Sequence, residues 1–184
     1  MKIIMVDLDG TLFDTKDVNY YSYSEALKIF GYELDYSYYC DSCNGKHYMD
    51  FLPQITNGNS NVLSKIHEIK KSIYGKYLKY AKVNKLLVDL LWIAKESVKI
   101  ALVTTASKKN TLEILNYFGI TDLFDLILTK DDIVNSKPNP EGYQKALAYF
   151  NISKEDALIF EDSDVGEQAA INCGVQYILV KGYN

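Results

Sequence analysis

The N-terminal run Ile3–Val6 restricts the fold of this chain more than any other segment. It is continuously apolar, and it stops abruptly at Asp7-Leu-Asp-Gly-Thr. Short apolar runs without polar alternation are typical of strands that are buried on both faces of a parallel sheet. Four more such runs follow, at residues 99–103, 126–128, 157–160 and 176–180.

Helical patterns lie between the later runs. Ser107–Phe118 has apolar residues at helical spacing and stops at Gly119, Pro140–Phe150 starts with proline, and Val165–Cys173 ends at Gly174. Proline favours the first position of a helix and glycine the position just beyond its end. The alternation of strand and helix predicts an α/β fold, a doubly wound parallel sheet.

A long insertion interrupts this alternation. More than 90 residues separate the first two apolar runs, and the pattern at residues 84–96 already supplies the crossover helix. We therefore predict an α/β core formed by residues 1–15 and 83–184, and a separate helical unit at residues 16–82. The unit should contain helices at Ser22–Phe30, Tyr48–Gln54 and Ser60–Tyr80. It also holds 11 of the 16 tyrosines.

Composition excludes several classes of function. All 20 basic residues are lysines, and the net charge is −4. A mildly acidic chain without arginine lacks the basic balance and the bidentate fork that nucleic-acid binders use. No apolar stretch is long enough to cross a bilayer. The three cysteines and the early acidic Asp7 predict a reduced, cytoplasmic protein without a disulfide scaffold. Cys40 and Cys43 form a lone C-x-x-C, which we interpret as reduced thiols.

Chemically active residue types follow the predicted strands. Carboxylates follow the first and fourth strands, hydroxyls follow the second, and a lysine lies in the loop after the third. In order, these residues are Asp7, Asp9, Thr104, Thr105, Lys137, Glu161 and Asp162. The carboxyl ends of parallel strands meet at one edge of a sheet, which is where open α/β sheets bind ligands. Clustered carboxylates without histidine favour Mg²⁺ over zinc, and a metal, a lysine and a hydroxyl together suit a phosphoryl group.

Four segments carry a specific resemblance. They are Asp7-Leu-Asp-Gly-Thr, Val103-Thr104-Thr105-Ala-Ser, Ser136-Lys137-Pro138-Asn-Pro and Phe160-Glu161-Asp162-Ser-Asp. In sequence and order they resemble the four motifs of the haloacid dehalogenase-like (HAD) superfamily. The resemblance implies a HAD-like Rossmannoid sheet of strand order 5-4-1-2-3, with a small α-helical cap inserted after the first strand.

The resemblance also implies roles for individual residues. Asp7 would be the nucleophile and a Mg²⁺ ligand, and Asp9 the general acid/base with its backbone carbonyl on the metal. Thr104 would hydrogen-bond the transferring phosphoryl group and Lys137 would neutralise it, while Glu161 and Asp162 would complete the metal site. Substrate contacts would come from Gly10, Thr11, Thr105 and Ala106, and from Lys46 and His47, which lie where related caps carry their specificity loop.

Three functions remain open from the sequence. The first is a Mg²⁺-dependent phosphatase that hydrolyses a small phosphate monoester, a sugar phosphate or a phosphoglycolate-like molecule, through an aspartyl-phosphate. The second is a sugar phosphomutase of the β-phosphoglucomutase type. The third is a non-catalytic regulatory protein. By the same resemblance, Asp9 favours phosphoryl chemistry with a proton to deliver, because the family's phosphatases and phosphomutases have an acid at this position, whereas its dehalogenases and P-type ATPases lack one. The missing arginine favours hydrolysis, since a second phosphate is usually gripped by an arginine fork. We expect a monomer.

Overall fold

A computed structural model describes residues 1–182 of the chain. Its main sheet is parallel and five-stranded, in the order β5-β4-β1-β6-β7. The strands are β1 (Ile3–Val6), β4 (Lys99–Val103), β5 (Leu126–Leu128), β6 (Ala157–Glu161) and β7 (Gln176–Leu179). Counted as five strands in chain order, this is the predicted order 5-4-1-2-3 read from the opposite edge. The predicted fold class is confirmed.

The central strand β1 explains why its sequence is continuously apolar. It pairs with β4 on one side and β6 on the other, and all four of its residues are at most 1% exposed. Ile3 and Met5 pack in a cluster with residues of two helices, α7 (Glu141–Phe150) and α8 (Asp164–Cys173). Ile4 and Val6 point to the opposite face and are equally buried, as a doubly wound sheet requires.

Backbone contacts divide the chain into two compact units. One consists of Met1–Asp14 with the described part of Lys82–Asn184, and the other of Thr15–Ala81. The first unit contains the main sheet and helices α5 (Lys85–Ala94), α6 (Lys108–Tyr117), α7 and α8. It also contains a short antiparallel pair, β2 (Phe13–Asp14) with β3 (Lys82–Val83), which the sequence pattern does not predict.

The second unit is helical. It contains α1 (Lys16–Lys28), α2 (Tyr36–Tyr38) continued by a π-helical turn at Tyr39–Cys43, α3 (Tyr48–Ile55) and α4 (Leu63–Ile73). Short 3₁₀ turns precede and follow α4, at Ser60–Val62 and Tyr74–Tyr80. Its core is rich in aromatic side chains, with Tyr23, Tyr39 and Phe51 buried among leucines and isoleucines.

Two predicted helices of this unit have different bounds in the structure. Helix α1 begins at Lys16 rather than Ser22, and Val18 in the added turns is buried together with Tyr23, Ala26 and Leu27. The predicted helix Ser60–Tyr80 is α-helical only from Leu63 to Ile73. Residues 36–43, which lie outside the three helix ranges predicted above, are helical, and the Asp35 side chain caps them by accepting from the Tyr38 amide at 2.8 Å.

Two further expectations concern membrane spans and disulfides. None of the helices formed by residues 1–182 has the length and apolar character needed to span a membrane. Cys40, Cys43 and Cys173 are all free thiols.

Candidate active site

The carboxyl ends of three neighbouring strands bring the predicted residues together. Asp7 directly follows β1, Glu161 is the last residue of β6, and Thr104 directly follows β4. Since β1 pairs in register with both neighbours, these positions lie side by side at one edge of the sheet. Lys137 reaches the same edge from the loop between β5 and α7.

Lys137 is the central cation of the site. Its Nζ lies 2.5 Å from Asp7 Oδ1, 2.5 Å from Glu161 Oε1 and 3.1 Å from the Val103 carbonyl oxygen. An ammonium has three donors, so these three acceptors satisfy it completely. The side chain is only 7% exposed. A charge buried to this extent needs a partner of opposite sign, and the two carboxylates provide it.

The electrostatics of this group follow from its burial. Burial lowers the pKa of the Lys137 ammonium, but the facing carboxylates of Asp7 and Glu161 outweigh it and hold that pKa well above its ordinary value. Burial also raises the pKa of the Asp7 carboxyl, while the contact with Lys137 acts in the opposite direction. Lys137 therefore stays charged next to Asp7 across the physiological range.

Asp162 joins the cluster from the turn after β6. Its Oδ1 accepts a hydrogen bond from Thr11 Oγ1 at 3.0 Å, and its carboxylate lies directly over Gly10. Burial raises the pKa of Asp162 to about 6, although the Thr11 hydroxyl lowers it. Gly10 and Thr11 thus hold Asp162 in place; their predicted contact with substrate remains a prediction.

Three carboxylates form a group that fits a divalent cation. Asp7, Glu161 and Asp162 each offer an oxygen within 4.8 Å of the others. Both oxygens of Glu161 accept from protein donors, and Asp7 and Asp162 accept through Oδ1 from Lys137 and Thr11 respectively. An all-oxygen set of three neighbouring carboxylates suits a hard ion such as Mg²⁺, which would relieve the repulsion between them.

Three further candidate residues follow strands β1 and β4. Asp9 is half-buried in the turn after β1, and its carboxylate is not part of the three-acid group found among residues 1–182. Thr104 is buried and its Oγ1 accepts from the Ala106 amide at 3.1 Å, so that the hydroxyl proton can be donated elsewhere. Thr105 beside it is exposed.

Lys46 and His47 belong to the helical unit and are exposed there. His47 is the residue that precedes α3, and its Nδ1 accepts from the Met49 amide at 3.4 Å. The predicted role of both residues in substrate binding stays a prediction.

Sequence patterns missed two buried contributors. Tyr143 on α7 donates its hydroxyl to Glu161 Oε1 at 2.7 Å. Asn84 caps α5 and donates from Nδ2 to the Thr11 carbonyl oxygen at 3.1 Å, which supports the turn that holds Asp162. In the sequence, Tyr143 looks like any buried aromatic residue of an amphipathic helix. Its role becomes visible only when the structure places its hydroxyl beside Glu161.

Several known proteins are similar to this chain over almost its whole length. The chain is 26% identical to the phosphorylated carbohydrates phosphatase of Thermotoga maritima, over 97% of this chain and 84% of that protein. It is 27% identical to the putative phosphatase YhcW of Bacillus subtilis, over 98% and 83%. Among solved structures, CbbY from Rhodobacter sphaeroides in complex with phosphate has a TM-score of 0.85 at 24% identity, covering 100% of this chain and 88% of that one.

A family profile covers almost the whole chain. Residues 4–180 match the haloacid dehalogenase-like hydrolases, so the match includes all four motif segments and both units. The sequence motifs, the strand order and the cluster around Lys137 are mutually consistent with this match. The chain belongs to the haloacid dehalogenase-like hydrolase family.

Proposed function

We propose that this protein is a Mg²⁺-dependent phosphatase that hydrolyses a small phosphate monoester, a sugar phosphate or a phosphoglycolate-like molecule, through an aspartyl-phosphate on Asp7. The observation that carries the proposal is the position of Lys137 Nζ, 2.5 Å from both Asp7 Oδ1 and Glu161 Oε1 in a buried site. A cation fixed beside a carboxylate can neutralise a phosphoryl group that moves onto that carboxylate. Phosphatase relatives such as the Thermotoga maritima protein support the choice of phosphate esters.

The reaction has two steps on this proposal. In the first, a carboxylate oxygen of Asp7 attacks the phosphorus atom, the bond to the leaving oxygen breaks, and Asp9 gives that oxygen its proton. In the second, Asp9 takes a proton from a water molecule that attacks the aspartyl-phosphate, which releases inorganic phosphate and restores Asp7. Lys137 and the Thr104 hydroxyl stabilise the charge on the phosphoryl oxygens in both steps.

The carboxylates of Asp7 and Asp162, with the Asp9 carbonyl and Glu161 beside them, would hold Mg²⁺. The ion would supply positive charge for the phosphoryl oxygens and orient the phosphate. We further propose that residues 16–82 act as the cap that selects the substrate, with Lys46 and His47 as candidate contacts, and that the enzyme works as a cytoplasmic monomer.

A phosphatase assay with a nucleophile variant tests this function. We expect the wild type to release phosphate from p-nitrophenyl phosphate, and from members of a panel of sugar phosphates and phosphoglycolate, with Mg²⁺ but not with EDTA. Asp7→Asn should lower the rate by on the order of 10³-fold or more, because an amide cannot act as the nucleophile. Asp89→Asn, an exposed acid on α5, is the matched control and should keep full activity. Equal rates for wild type and Asp7→Asn would exclude the mechanism.

A sugar phosphomutase is the second candidate, and the same panel separates it from a phosphatase. A mutase must hold a bisphosphorylated intermediate by both ends, and this chain has no arginine to grip the second phosphate. Isomerisation of a hexose 1-phosphate primed with a bisphosphate, with negligible hydrolysis of monophosphates, would establish the mutase instead. A regulatory protein would show neither activity.

A further inference from the structure

Tyr143 is a buried tyrosine in a site where a phenylalanine would fill the same volume. It is 1% exposed, and its ring packs with aliphatic side chains of the sheet such as Ile3, Met5 and Val103. A hydroxyl in such surroundings must have a partner, because an unpaired buried O–H is costly. Its partner is Glu161 Oε1 at 2.7 Å.

Glu161 is restrained on every side by protein groups. Oε1 accepts from Tyr143 and from Lys137, while Oε2 accepts from the Asp162 amide at 3.1 Å and lies near the Ser163 hydroxyl at 3.4 Å. Gly166 on α8 makes room for the carboxylate, since a Cβ there would lie 2.0 Å from Oε2. A carboxylate held in this way presents a fixed oxygen to the Lys137 ammonium.

Tyr143 also contacts the lysine with its ring. The Lys137 Nζ lies over the ring face, 5.2 Å from the centroid, in the geometry of a cation–π contact. One side chain therefore touches both members of the ion pair, with its hydroxyl on the anion and its ring on the cation.

We propose that Tyr143 is a positioning residue that keeps the Lys137 ammonium aimed at Asp7. The proposal rests on the function proposed above. Glu161 and Asp7 compete for the same ammonium at equal distances of 2.5 Å. By donating to Glu161, the Tyr143 hydroxyl takes up part of the negative charge of that carboxylate. Without it Glu161 attracts Lys137 more strongly, and the ammonium moves away from the oxygens that gain charge during phosphoryl transfer.

The variant Tyr143→Phe tests this proposal, with Tyr149→Phe as its control. Tyr149 lies on the same helix but is 67% exposed, so its hydroxyl should not matter. We expect Tyr143→Phe to lower kcat and kcat/KM together by about tenfold with KM almost unchanged, since the lost effect belongs to the transition state. Tyr149→Phe should match the wild type. All three proteins are measured well below their melting temperatures, so that a change in stability alone does not alter the rates.

A second readout does not depend on catalysis. The Lys137 ammonium can be observed by ¹H–¹⁵N NMR and assigned with Lys137→Met, and its scalar couplings across the hydrogen bonds to the carboxylate carbons report which carboxylate it favours. In Tyr143→Phe we expect a weaker coupling to Asp7 and a stronger one to Glu161, with no change in Tyr149→Phe. Unchanged couplings in Tyr143→Phe overturn the proposal, and so does unchanged kcat in an active wild type. If the wild type lacks phosphatase activity, the proposed function fails, and the couplings alone decide whether Tyr143 positions Lys137.

Discussion

At the scale of single residues, two glycines make room for the acids of the site. A Cβ on Gly166 would lie within 2.2 Å of three atoms of the Glu161 carboxylate, and one on Gly10 would lie 2.0 Å from Asp162 Oδ2. Gly10 also has a φ of +92°, a backbone conformation that residues with a Cβ rarely adopt. The two residues allow the carboxylates to approach the backbone closely, which a larger residue would prevent.

Gly10→Ala should therefore damage the metal site as well as the turn. We expect the variant to displace Asp162, to lower Mg²⁺-dependent phosphatase activity by about tenfold or more, and to cost about 1–3 kcal/mol of stability. Steady-state rates across a Mg²⁺ titration and thermal unfolding measure both effects. Gly119→Ala is the control, because its φ is +67° but no atom outside its two chain neighbours lies within 4 Å of the added Cβ. It should lose stability without losing activity; equal activity losses in both variants would contradict the explanation.

At the scale of elements, α4 carries a histidine that the helical unit keeps neutral. The Nδ1 of His67 lies 2.9 Å from the Tyr23 hydroxyl, and its ring stacks on Tyr48 with centroids 4.0 Å apart. Burial, together with the nearby charges of Lys70 and Lys71, lowers the pKa of His67 to about 4. The unfolded chain, with an ordinary histidine pKa near 6.5, binds the proton more readily.

This difference predicts a loss of stability in acid. As the pH falls from about 6.5 to about 4, the unfolded state takes up a proton that folded His67 resists, so the free energy of unfolding decreases. We expect a loss of about 1–2 kcal/mol over this window, allowing for the partial exposure of the ring. His67→Gln should remove this contribution, whereas His47→Gln, at an exposed site, should not. Parallel melting-temperature curves for wild type and His67→Gln between pH 7 and 4.5 would show that the prediction is wrong.

At the scale of the whole molecule, the sheet assembles a site from four distant parts of the chain. Asp7 and Glu161 end neighbouring strands, and Lys137 bridges them across 130 and 24 residues of sequence respectively. A cation that binds only the folded arrangement of carboxylates stabilises the whole fold, because the unfolded chain keeps them apart.

Mg²⁺ should therefore raise the melting temperature of the protein. At a concentration of about a hundred times its Kd, a ligand specific for the folded state adds about 2.7 kcal/mol to the free energy of unfolding. We expect the shift in the wild type and its loss in Asp162→Asn, which lacks one ligand charge. Scanning calorimetry with MgCl₂, and with NaCl of equal ionic strength as the control, measures it. The same Mg²⁺ shift in Asp162→Asn would exclude this residue as a ligand.

Local sequence patterns predicted the strands and most helices of the α/β core, and the resemblance of the four motifs implied the strand order. Buried strands are recognisable from their own residues, and motifs at their ends are short and contiguous. The helical unit was harder to predict. Its core depends on tyrosines such as Tyr23 and Tyr39, which occur on surfaces as well as in cores, so α1 and the helical segment at residues 36–43 have weak signals.

The motifs alone identify the family, the parallel sheet, and the acids, threonine and lysine that follow its strands. How these groups are held is visible only in the folded chain: Tyr143 donates to Glu161, Thr11 and Gly10 surround Asp162, and Lys137 lies between two carboxylates. A motif records which groups follow a strand, whereas hydrogen bonds depend on distances of a few ångströms. Those distances are set by the packing of helices that lie far away in the sequence.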